Sequence, residues 1–79
     1  MKTLMDRIEI NPKILVGKPV VKGTRIPVYL IVNLMAQGYD YDRIIHEYPE
    51  LTKQDIQAAL AFAAKSVNYM EEPISTVHG

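Results

Sequence analysis

A chain of 79 residues has room for one domain, because single cores split only beyond about 250 residues and typical domains hold roughly 100 to 150. It contains no cysteine and only two histidines, His46 and His78, which excludes disulfides, thiolate zinc sites, a cysteine nucleophile and any confidently assembled Ser-His-Asp triad, and fits a reducing cytoplasm. Apolar residues make up 48%, charged residues 23%, and the formal net charge is zero; with no run near the roughly 20 apolar residues of a membrane helix and no signal-peptide stretch, the expectation is a soluble cytoplasmic protein with no membrane partner.

Residues 1–26 read as a β-hairpin or arm. Ile8-Glu9-Ile10 alternates, Asn11-Pro12 punctuates, and Val20-Val21 is β-branched between Gly17-Lys18-Pro19 and Lys22-Gly23-Thr24. A two-stranded ribbon is marginal in water, so it must pack on helices or pair with another chain. Pro27 opens the first helix, since proline suits the first helical position and pushes Ile26 towards extended geometry. That helix runs to Gln37, with Val28, Ile31, Val32 and Met35 on its buried stripe, Leu34 widening it, and Gly38 as a left-handed stop. Asp40 caps a short second helix from Tyr41, stapled by Tyr39 and Ile44; Ile44, Ile45 and Tyr48 supply its apolar contacts and Pro49 stops it. Thr52 and Asp55 have the spacing of a reciprocal capping box, with Leu51 and Ile56 as its staple. The third helix they open carries Ile56, Ala59, Leu60, Ala63, Val67 and Met70 on one stripe, and Glu71-Glu72-Pro73 is expected to end it. The predicted fold is mainly α with a short N-terminal β-hairpin (1–26), a three-helix core (27–70) and a flexible tail (71–79), all within a single domain, 1–79.

Helices two and three, joined through Pro49-Glu50-Leu51, have the lengths of a tri-helical helix-turn-helix. The second helix of such a pair is the reader, which makes Thr52, Lys53, Gln54 and Gln57 the candidate contacts to double-stranded DNA. Gln pairs bidentately with adenine, Lys contacts guanine or phosphate, and the helix start itself favours phosphate. The zero net charge conceals six basic against two acidic residues through residue 25, so Lys18, Lys22 and Arg25, near turns, are candidate contacts to the DNA backbone. Each residue has a plainer reading. Lys, Gln and Thr populate any solvated helix face, and Glu50 and Asp55 beside the reader would repel phosphate. Arg25 could pair with Asp40 or Glu47, while Lys18 and Lys22 could guard a strand edge. Pro49 separates His46 from Glu50, so their spacing makes no metal site. The glycines near Gly17 and Gly23 lack both phosphate-loop signatures, and the five tyrosines read mostly as amphipathic packing.

The blocks Gly17-Lys18-Pro19, Gly23-Thr24-Arg25-Ile26-Pro27-Val28, Tyr48-Pro49, Leu51-Thr52, Asp55-Ile56 and Ala58-Ala59-Leu60, taken in that order, resemble domain-of-unknown-function family 433. The resemblance implies a homeodomain-like or winged-helix-like helix-turn-helix domain. Many members resemble VapB-type antitoxins, whose toxins are PIN-domain ribonucleases, so it also implies operator binding and a PIN-domain toxin as partner. Two departures stand out: only a short segment is expected to follow the third helix, where such antitoxins carry an extended one, and Arg43 stands where the family often has Glu. The family pattern offers no catalytic residue and implies no cofactor, so the expected protein is not an enzyme. A homodimer is expected, with the amino-terminal strands in its interface, because a core of this size is marginal alone and helix-turn-helix proteins use two half-sites. The rival expectation is a non-catalytic protein-interaction module that binds no nucleic acid.

Overall fold

The computed structural model describes the backbone of residues 4–77 and the side-chain surroundings of residues 6–66. A 3-10 turn, Leu4–Arg7, leads into β1, Ile8–Glu9. β1 pairs antiparallel with β2, Val20–Val21, placing Ile8 opposite Val21 and Glu9 opposite Val20. The other side of β2 is engaged too. The Val21 N–H donates to the Ile26 carbonyl at 3.0 Å, the Val28 N–H donates to the Pro19 carbonyl at 2.9 Å, and Val20 bridges Pro27. With Val20 and Val21 both buried and neighbours on both sides, β2 offers no open edge to a second chain.

The connection between the strands bends through an unusual backbone. The Asn11 side chain accepts from the Lys13 N–H at 2.8 Å, and Leu15, Val16 and Gly17 then follow one another at φ values of 49°, 56° and 82°. Glycine adopts this region freely; a β-branched residue does so under strain. Val16 is also 91% exposed, so no buried packing offsets that strain.

Helix α1, Val28–Ala36, starts one residue later than the proline rule places it. Pro27 is its N-cap, held extended at ψ 151°, because its bridge to Val20 requires strand geometry. Val28, Ile31 and Leu34 are buried, whereas Val32 and Met35 are half-buried, so the inward stripe centres nearer Leu34 than the spacing implied. Gly38, at φ 98°, ends α1 in a Schellman arrangement. Its N–H donates to the Met35 carbonyl, and the Tyr39 N–H donates to the Leu34 carbonyl, both at 3.0 Å.

Helix α2, Tyr41–Glu47, is capped by Asp40, whose Oδ1 accepts from the Arg43 N–H at 2.9 Å. Arg43 still donates its backbone N–H to this cap but brings no carboxylate to return a bond to the Asp40 N–H, and its guanidinium lies 4.0 Å from the centroid of the Tyr39 ring. Helix α3 is Lys53–Val77. It continues past Pro73 instead of ending at residue 70, so residues 71–77 are helix rather than the expected tail. The physical reason is that a proline deep in a helix withdraws one amide donor, a cost of about 3 kcal/mol, which weakens the ladder without ending it. The surroundings of Val67 and Met70 lie outside the described side chains.

The fold is thus mainly helical, three helices with a short antiparallel hairpin at the amino end. Ile31, Ile44, Leu51 and Ile56, one or more from each helix and its flank, share one core with Val21. Ala58 and Ala59 are both fully buried in α3, which the stripe reading assigned to Ala59 alone. Among the described residues no helix is long and apolar enough to cross a membrane.

Candidate nucleic-acid interface

The start of α3 is fixed by local chemistry. The Asp55 N–H donates to Thr52 Oγ1 at 3.1 Å, and the Thr52 N–H donates to Asp55 Oδ2 at 3.0 Å, a complete capping box. The second Asp55 oxygen is also used: Arg7 Nη1 donates to Oδ1 at 3.0 Å. Asp55 is only 8% exposed, so its charge is turned inward and matched by a cation 48 residues away in sequence. It does not stand beside the helix start as a phosphate-repelling charge. Thr52, Lys53, Gln54 and Gln57 are exposed. The Thr52 hydroxyl oxygen is occupied by the cap, leaving its O–H as the free function, while both glutamines display complete amides. Lys53 Nζ lies 5.7 Å from the Tyr41 ring centroid, in a cleft it shares with Asp40 and Asp42.

Lys22 and Arg25 sit on the loop leaving β2. Gly23 takes φ 84° there, and the Thr24 N–H donates to the Val21 carbonyl at 3.0 Å. Thr24 Oγ1 donates to the same carbonyl at 2.8 Å and accepts from the Ile26 N–H at 3.0 Å. This threonine therefore rigidifies a loop whose two cations both face solvent. Arg25 lines a cleft with Glu9 and Glu50, which sets it beside the residues leading into α3. It pairs with neither Asp40 nor Glu47: Asp40 caps α2, and Glu47 Oε2 lies 3.9 Å from Arg43 Nε. Lys18 belongs elsewhere, with Nζ 5.8 Å from the Tyr29 ring centroid, on the wall of a separate groove between α1 and α3.

The structure therefore gathers Thr52, Lys53, Gln54 and Gln57 on the first turns of one helix and brings Arg25 near them through Glu50, but leaves Lys18 in a different cleft. Arg7 was missed as a contributor, because no local pattern links two residues so distant in sequence. Every buried side-chain nitrogen or oxygen among the described residues has a hydrogen-bond partner, and no three His, Cys, Asp or Glu side chains among them gather to hold a metal ion. What the surface offers is exposed amides and two cations that stand beside carboxylates, Lys53 with Asp40 and Asp42 and Arg25 with Glu9 and Glu50.

One solved structure shares this framework, and two further proteins resemble the chain in sequence. A crystal structure of a DUF433 member protein from Anabaena variabilis matches with a TM-score of 0.75 and 29% identity, covering 91% of this chain and 71% of that one. An uncharacterized protein, y4eO, from Sinorhizobium fredii is 40% identical over 53 residues, which are 67% of this chain and 24% of that protein. The chain thus matches about a quarter of that relative's length. An uncharacterized protein from Archaeoglobus fulgidus is 62% identical over 24 residues, 30% of this chain and 67% of its own. The family described as "Protein of unknown function (DUF433)" matches residues 8–63, the span from β1 through the capped first half of α3, and the chain belongs to that family.

Proposed function

We propose that this protein is a non-catalytic regulatory domain that binds double-stranded DNA through the start of α3. The observation that carries the reading is the capping box: it holds the α3 start rigid and turns the Asp55 charge towards Arg7, while Lys53, Gln54 and Gln57 stay exposed on the same turns. A rigid helix start with exposed amides and a cation suits base-edge contact in a major groove. Lys22 and Arg25 supply backbone contacts from the stiffened loop, and Lys18, in its separate groove, contributes least. The family resemblance extends this reading to operator autoregulation with a PIN-domain toxin as protein partner.

The test is selection from random duplexes. Wild-type protein should enrich a preferred sequence and lose affinity steeply as salt rises. Lys53→Ala combined with Gln54→Ala should abolish that selection and leave the melting temperature nearly unchanged, since both side chains are exposed. If wild-type protein enriches nothing and its weak binding ignores salt, the reading fails. The apolar groove between α1 and α3 favours the rival reading, a module that docks protein and binds no DNA; binding of that kind would respond little to ionic strength.

A further inference from the structure

Lys53 is the first residue of α3, and Tyr41 is the first residue of α2. Hydrogen bonds fix both helix starts. Thr52 and Asp55 close the box on α3, and Asp40 Oδ1 accepts from the Arg43 N–H on α2. The half-buried Tyr41 ring packs against the core, and Lys53 Nζ lies 5.7 Å from its centroid, within the range of a cation–π contact. A lysine stem with four rotatable bonds is otherwise free to wander over a solvated helix face. Here its ammonium has a preferred place, set by a ring on a neighbouring helix.

The surroundings decide what that ammonium can meet. It shares a cleft with Tyr39, Asp40, Tyr41 and Asp42, and both aspartates are exposed. Arg43 adds little to the charge balance there, since its guanidinium lies against Tyr39 with Glu47 Oε2 3.9 Å from its Nε. A phosphate reaching Lys53 would meet two carboxylates for one ammonium, a net repulsion. A base edge carries no charge and escapes it. In the major groove guanine presents two acceptors, O6 and N7, and its cytosine partner presents an amino donor. An ammonium flanked by carboxylates matches that pattern. We propose that Lys53, placed by Tyr41 and kept from phosphate by Asp40 and Asp42, reads a guanine edge and not the DNA backbone. The inference rests on the DNA-binding reading and sharpens it. Lys53 is a specificity-determining residue, Tyr41 is its positioning residue, and contact with phosphate is left to cations outside this cleft.

Selection of the full chain on random duplexes, followed by a salt titration on the enriched duplex, tests this. Wild-type protein should enrich a motif that contains a guanine. Lys53→Ala should lose discrimination at that one position, roughly tenfold or more, and leave the slope of log affinity against log salt unchanged. A lost phosphate contact would instead weaken all duplexes alike and lower that slope by about one. Tyr41→Phe keeps the ring and should select as wild type does, whereas Tyr41→Leu should relax the guanine position several-fold and leave the rest of the motif intact. Asp42→Asn should raise affinity for all duplexes and steepen the slope, because phosphate can then approach Lys53. Lys53 and Asp42 are exposed, so their variants keep the test decisive even where Tyr41→Leu perturbs folding. A uniform loss with a lower slope in Lys53→Ala, a motif indifferent to Lys53→Ala or to Tyr41→Leu, or an unchanged slope in Asp42→Asn would overturn the proposal and leave DNA binding standing. Wild-type protein that enriches no sequence removes both.

Discussion

Asp55 shows how much one side chain holds at the residue scale. Its two oxygens accept from the Thr52 N–H and the Arg7 guanidinium, while its own N–H donates to Thr52 Oγ1. Alanine at this position keeps the backbone N–H that donates to Thr52 Oγ1, but takes away the carboxylate that accepts from the Thr52 N–H and from Arg7. A hydrogen bond to a charged acceptor contributes about 1.5 to 3 kcal/mol and the half-exposed Arg7 pair adds little, so Asp55→Ala should destabilise by about 2 kcal/mol. Arg7→Ala should cost less, about 1 kcal/mol or below, because the Arg7 side chain remains 44% exposed and water can replace part of its contribution. Urea melts of the two variants check the order. An Arg7 loss equal to the Asp55 loss would mean that the ion pair, and not the capping box, dominates the site.

At the scale of the element, the helices separate what is local from what is not. The Asp40 cap, the Thr52–Asp55 box and the Gly38 stop were legible in sequence because each is a contact between residues three to five apart. The exposed turn of α3 was legible for the same reason, since the helical period follows once the cap fixes the start. The Arg7–Asp55 pair was not, and neither were the left-handed φ values at Leu15 and Val16, because their side chains prefer other backbone geometry and only the tertiary fold imposes this one. The end of α3 was misread by treating Pro73 as a stop when it is only a penalty. Rotation of α3 gives the prediction here. Ile56 is fully buried, Leu60 half-buried and Gln57 exposed, so Ile56→Ala should cost about 2 to 5 kcal/mol, Leu60→Ala distinctly less, and Gln57→Ala within about 0.5 kcal/mol of zero. Equal losses at Ile56 and Gln57 in denaturant melts would show the helix turned from the orientation described.

For the molecule as a whole, the amino-terminal segment decides whether there is one cooperative unit or a helical core with an arm attached. The Arg7 carbonyl accepts from the Lys22 N–H at 2.7 Å, the Arg7 side chain holds the start of α3, and Ile8 packs against the same core as Ile31 and Ile56. Arg7, at the entry to β1, thus ties the loop carrying Lys22 and Arg25 to the helix carrying Lys53 and Gln57. A chain of this size has only about 4 to 12 kcal/mol of stability in total, by the usual per-residue range. Removing residues 1–9 would delete an apolar side chain from the core, the ladder on one side of β2 and the Arg7 pair, together about 3 kcal/mol or more. The shortened chain should therefore show a much lower urea midpoint and a single transition, because both halves of the core lose support at once. Far-ultraviolet circular dichroism and tyrosine fluorescence, followed along the same titration, should fall together. A midpoint close to that of the full chain would show that residues 1–9 are an appendage, and two separated transitions would show that the hairpin and the helices fold as distinct units.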